Sequence, residues 1–194
     1  MTAELIVADA GAWHAWLVEH HQAGDGVWLV LAKKNVTTPT SLTYDEALEE
    51  ALCHGWIDGQ RRSRDGQTFI QRYTPRRSRS MWSQRNVGLI ARLERDGRML
   101  PAGRAEVERA KADGRWDSAY AGSSTSEIPA DLAEALAAVP QAQAMFGILT
   151  SANRFAVVHR VNSAKRAETR AKRIAQFVEQ LARSEPIYPQ KRTL

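Results

Sequence analysis

The chain is short of several things, and each shortage excludes something. It has a single cysteine, Cys53, so no disulfide forms within it, and a lone thiol suits a reducing compartment. No apolar run approaches the roughly 20 residues that a membrane-spanning helix needs. The first residues, 1–13, lack a basic start and carry Glu4 and Asp9, unlike a secretory signal; the expected location is the cytoplasm. There is no cysteine pair and no His-x-x-x-His, which speaks against a metal centre. G-x-S-x-G, the P-loop and G-x-G-x-x-G are absent, which removes the standard hydrolase and nucleotide-cradling sites. No cofactor, metal or catalytic residue is assigned.

What is present is charge in one place. The 194 residues are 43% hydrophobic and 25% charged, an ordinary globular composition for one domain or a domain with an appendage. The net charge is +5, yet Arg61 to Arg85 alone sums to +7: Arg61, Arg62, Arg64, Arg72, Arg76, Arg77, Arg79 and Arg85 against Asp65, with no lysine. Everything outside that stretch sums to −2. The guanidinium fork pairs with phosphate or carboxylate through two parallel bonds. The stretch therefore reads as an anion-recognition surface or, more plainly, as a solvated basic face.

Hydrophobic spacing supplies the elements around it. Asp9 caps a helix with Trp13, Trp16, Leu17 and His20 on one face, at 3.6-residue spacing. Val27–Ala32 is a buried strand. Thr43-Tyr44-Asp45-Glu46 is a capping box, and Asp45, Glu46, Glu49 and Glu50 suit the positive end of that helix; Gly55 ends it. Trp56-Ile57-Asp58 opens a strand, Asp65-Gly66 turns the chain, and 68–73 returns until Pro75 stops the pairing. Ser80 caps a helix over 81–96, and Pro101 opens another. All six tryptophans (13, 16, 28, 56, 82, 116) precede residue 117. The predicted domains are 1–120, a small-polar linker at 121–127, and a helical subdomain at 128–194 docked on the first. In that subdomain Ser151 and Ser163 are the expected caps of the last two helices. The fold class is α+β: a small antiparallel sheet of about three strands with helices, then an all-helical part.

The chemistry gathers after the hairpin. Arg72, Arg76, Arg77, Arg79, Ser80, Ser83, Arg85 and Asn86 surround a helix start, whose free N–H groups attract anions. Trp56, Asp58 and Trp82 are the pocket candidates. Asp58 either pairs with Arg72 or Arg76 to hold the hairpin, or orients a ligand or acts as a base. Trp82 either stacks on a base or fills the core. Cys53 beside His54 is a buried small hydrophobe rather than a nucleophile, since neighbours in a helix do not face each other. His20 and His21 read as solvated. Arg154, Arg160, Lys165, Arg166, Arg170, Lys172 and Arg173 form a second basic set.

Several stretches resemble the YdeI/OmpD-associated, or bacteriocin-protection, family: Gly26–Leu29, Leu48–Gly59 with its GWIDG, Tyr73–Arg77, Ser80–Asn86, Gly97–Met99 and Ala164–Ile174. His54 departs from the aromatic usual there. The resemblance implies tolerance of bacteriocins or antimicrobial peptides and brings no reaction or cofactor. The expected function is a non-enzymatic cytoplasmic protein whose arginine surface binds an anionic partner. The alternatives are a nucleic-acid-binding protein, or an enzyme on a small phosphorylated or carboxylated substrate with Asp58 in a basic pocket.

Overall fold

Local chemistry sets most element starts in the first half of the chain. The computed structural model describes residues 4–22, 24–122 and 127–194. A two-residue strand β1 (Glu4–Leu5) precedes α1 (Ala10–His20), whose N-cap Asp9 accepts from the Ala12 N–H at 2.9 Å. Strand β2 is Val27–Ala32. The capping box before α2 (Tyr44–Cys53) is complete: the Glu46 carboxylate takes the Thr43 N–H at 2.9 Å, and the Thr43 hydroxyl takes the Glu46 N–H. Strands β3 (Trp56–Ser63) and β4 (Thr68–Pro75) form the hairpin; Pro75 ends it as the last paired residue, opposite Trp56.

The sheet has four strands, in the order β1-β2-β4-β3. The expected three-stranded antiparallel sheet is therefore corrected: β1 adds an edge parallel to β2, with Leu5 opposite Leu29. Two residues carry no alternation, so the pattern could not reveal that strand. Side chains alternate across a strand, and the sheet has two different faces. Leu29, Leu31, Phe69 and Tyr73 pack with Trp13, Leu17, Ala47, Ala51 and Trp56 in the main core. Trp28, Val30 and Ile70 form a small cluster on the other face.

Helix α3 spans Gln84–Arg95 and α4 spans Pro101–Ala112. The start of α3 differs from expectation. Ser83 is the N-cap, taking the Asn86 N–H at 3.2 Å, whereas the Ser80 hydroxyl closes a turn by accepting from the Arg77 N–H at 2.9 Å. Both serines can cap; the turn takes one, so the helix begins a turn later and Trp82 lies before it. Two glycines fix how α2 meets α4. Gly55, at φ +76°, turns the chain out of α2. Gly103 lies against the end of α2, where a Cβ would sit 2.7 Å from the Leu52 carbonyl oxygen and closer still to that of Cys53.

Contacts divide the chain into two compact units, Met1–Ala119 and Tyr120–Leu194. The second contains α5 (Ala130–Ala137), α6 (Pro140–Gly147), α7 (Ser151–Asn162) and α8 (Ala167–Ala182) around Leu132, Met145, Val157, Phe177 and Leu181. Thr150, not Ser151, caps α7, and α8 begins at Ala167 without a side-chain cap rather than after Ser163. The predicted linker at 121–127 falls mainly on 123–126, outside the described residues. No helix among those described is long and apolar enough to cross a membrane.

Candidate functional site

The tertiary structure divides the arginine-rich stretch by what each guanidinium meets. Arg76 is 5% exposed. Its guanidinium lies 3.5 Å over the Trp82 ring and donates to the Met81 carbonyl at 3.3 Å. Trp82 is itself 2% exposed and packs edge-on against Trp116 at 4.9 Å. Trp56 is 1% exposed and donates its indole N–H to the His21 carbonyl at 2.8 Å. Both rings are core, so neither presents a face on which a ligand could stack. Asn86 is buried on the inner side of α3, and the Ser80 and Ser83 hydroxyls serve the turn and the cap.

Asp58 makes neither of its expected ion pairs. Its Oδ2 accepts from the Tyr44 hydroxyl at 2.8 Å, and that hydroxyl accepts from Arg85 Nη1 at 3.2 Å. Arg85 also reaches Asp45 at 2.7 Å. Burial, and then the neighbouring Asp58 charge, push the Tyr44 phenol up to about 12. The same two causes raise the Tyr73 phenol, whose buried hydroxyl has no hydrogen-bond partner among the described residues. Arg72 instead donates to the Asp25 carbonyl. Glu49 and Glu50, credited above to the dipole at the helix start, lie in the second half of α2. They are tied by Arg92 and Arg98, which lie outside the arginine-rich stretch.

Carboxylate pairing separates these arginines further. On the helices and beside them, Arg85, Arg92, Arg98, Arg104, Arg109 and Arg115 each meet an acid. On the hairpin, Arg64 meets Glu4 and Asp65. Arg61, Arg62, Arg72, Arg77 and Arg79 meet no carboxylate among the described residues, and all but Arg72 are exposed. Arg61 lies 3.8 Å over Phe69, Arg62 4.2 Å over Trp28 and Arg72 5.9 Å from the same indole. These rings hold the guanidinium planes without neutralising them.

A second constellation was not recognised from the sequence. His14 on α1 places Nδ1 2.8 Å from Glu50 Oε2 and 3.4 Å from His54 Nε2. The three ligand atoms lie within 4.8 Å of one another. His54 is 4% exposed, and burial, then the His14 and His21 charges, push its imidazole down to about 4. His20 and His21 are half-buried rather than solvated: His20 stacks on Trp16 at 4.4 Å, and the His21 ring centre is 5.9 Å from that of His54. The available signal was Glu50 and His54 at i and i+4, which share a helix face. Cys53 is buried, and burial followed by the Glu50 charge pushes its thiol up to about 11, the opposite of an activated nucleophile.

In the second unit the basic set is partly neutralised. Arg170 grips Asp131 through two bonds of 2.6 and 2.8 Å. Arg173 bonds the Arg160 carbonyl and, at 3.0 Å, the Ser163 hydroxyl, beside a polar groove of about 700 Å³. Arg154 bonds the Gly147 carbonyl at 3.2 Å. Arg160, Lys165, Arg166 and Lys172 are exposed.

Residues 5–106 match the family described as a domain of unknown function (DUF8412). The chain belongs to that family. Residues 125–184 match a second family model, described as Bacteriocin-protection, YdeI or OmpD-Associated. That match covers less of the chain than the sequence resemblance, which begins at Gly26. Of the stretches carrying the resemblance, Ala164–Ile174 lies within it, and those from Gly26 to Met99 lie within the first match. No curated protein and no solved structure matched the chain.

Proposed function

We propose that the first unit binds an extended anionic partner around the β3 edge of the sheet, through Arg61 on the Phe69 face and Arg62 and Arg72 on the Trp28 face, with Arg77 and Arg79 beyond the end of β4, in a cytoplasmic protein that carries out no reaction of its own. One observation carries this reading: these guanidiniums lack carboxylates among the described residues, while most of the arginines on α3, α4 and the segments beside them, Arg95 excepted, have one. A merely solvated basic face would be expected to share its acids more evenly along the chain. The exposure of four of the five favours a long partner over a small enclosed substrate. The Phe69 and Trp28 rings support the guanidiniums of Arg61, Arg62 and Arg72, which lowers the entropy those three lose when phosphates bind. A single-stranded nucleic acid is the polyanion to test first. The match over 125–184 supports a role in tolerance of bacteriocins, with anion binding as its molecular event.

The test is titration of a fluorescent single-stranded oligonucleotide and of polyphosphate. The chain should bind both, and the combined Arg61→Gln, Arg62→Gln, Arg77→Gln and Arg79→Gln variant should bind both much more weakly. Unchanged affinity in that variant overturns the reading. Binding of the oligonucleotide alone would assign the partner to nucleic acid.

A further inference from the structure

Three electron-pair donors from two helices converge beside the end of α2, and protons alone do not satisfy them. His14 Nδ1 has either one proton or one lone pair. It faces Glu50 Oε2 at 2.8 Å and His54 Nε2 at 3.4 Å, and a single proton can lie on only one of those lines. A cation at their centre would serve all three. Two donors each about 2.1 Å from one ion are about 3.0 Å apart at a right angle and about 3.4 Å apart at the tetrahedral angle. The separations of His14 Nδ1 from Glu50 Oε2 and from His54 Nε2 are close to these, and all three atoms lie within 4.8 Å of one another.

We propose that His14, Glu50 and His54 form a binding site for a divalent first-row transition metal, with zinc as the reference ion. Two imidazoles and one carboxylate suit zinc, cobalt, nickel or iron better than magnesium or calcium, which take oxygen ligands. The surrounding contacts orient the ligands as outer partners do in metal sites. Arg98 holds the other Glu50 oxygen at 2.5 Å, turning Oε2 towards His14. The charge of Arg98 is shared with Glu49 at 2.6 Å, so it is not left to oppose the metal. His21 bonds the Leu17 carbonyl through Nδ1 at 3.1 Å. That contact makes Nδ1 the donor and leaves Nε2 as the lone-pair nitrogen of the nearest further imidazole. His14 is about half exposed and Glu50 and His54 are covered, so the site is supported from within and open on one side.

The experiment uses the full chain without an affinity tag. Calorimetric titration with Zn2+ gives stoichiometry and affinity, and the visible spectrum with Co2+ reports the ligand geometry. One Zn2+ per chain is expected, with cobalt d–d bands. The half-exposed His14→Ala, checked for folding by circular dichroism, should abolish the bands and weaken zinc binding by about 100-fold or more, the upper end of what losing a mere outer partner costs. Glu50→Gln should weaken it as well while keeping the side-chain shape. Absence of zinc binding by the wild-type chain overturns the proposal, as does wild-type affinity in folded His14→Ala.

Discussion

Arg76 and Arg77 are adjacent in the chain, and their substitution should have opposite consequences. Arg76→Gln removes a buried guanidinium that lies 3.5 Å over Trp82 and bonds the Met81 carbonyl at 3.3 Å. A desolvated cation–π contact contributes about 2 kcal/mol. A hydrogen bond from a charged donor contributes about 1.5–3 kcal/mol, and at 3.3 Å the lower end applies. The two share one group and do not add fully, so the expected loss is about 3 kcal/mol. For a chain of this size that corresponds to a fall in Tm of about 6–12 °C. Arg77 is exposed and meets no carboxylate among the described residues, so Arg77→Gln should change stability by no more than about 0.5 kcal/mol. Thermal unfolding followed by circular dichroism, with no ligand added, separates them. Equal shifts for the two variants would refute the division of this stretch into a structural and an exposed arginine.

Other expectations follow from the same geometry. Thr43→Ala removes the acceptor for the Glu46 N–H and should cost about 1 kcal/mol by urea unfolding; an unchanged midpoint contradicts the box. Gly103→Ala drives a methyl group into the Leu52 and Cys53 carbonyls and should cost about 1–3 kcal/mol as overpacking, read from its melting curve. Asp65 accepts from the Thr68 hydroxyl at 2.8 Å and from the Thr68 and Gln67 N–H groups at 2.6 and 2.8 Å. These bonds, led by that of the Thr68 hydroxyl, depress its carboxyl to about 2. Between that value and the ordinary 3.8 the unfolded chain binds more protons, so the contribution is present above about pH 4 and is lost as pH falls through about 2. The difference in urea midpoint between wild type and Asp65→Asn should therefore shrink on acidification; a constant difference would contradict it.

What the sequence discloses depends on the range of the interaction. The capping box at Thr43, the Asp9 cap and the buried run Val27–Ala32 are encoded within a few residues and were readable. The start of α3 was not, because Ser80 and Ser83 are both competent caps and only the turn formed by Arg77 chooses between them. Strand β1 is two residues long and is defined by its partner on β2. The excess of charge could be located from composition, but its use could not. Arg76 turns inward onto Trp82, Arg85 goes to Tyr44 and Asp45, and Asp58 goes to Tyr44. The histidine cluster is hidden for the same reason: His14 and His54 are 40 residues apart, and an acid such as Glu50 also reads as complementing the helix dipole.

The most direct measurement on the arginine surface is the salt dependence of single-stranded oligonucleotide binding. Each phosphate neutralised on a single strand contributes about −0.7 to the slope of log affinity against log salt. With Arg61, Arg62, Arg72, Arg77 and Arg79 engaged, the wild-type slope should approach about −3.5. With Arg72 alone left, the four-site glutamine variant should show about −0.7 and much weaker binding. Equal slopes and equal affinities in the two proteins would contradict the claim that these five arginines form the anion-binding surface.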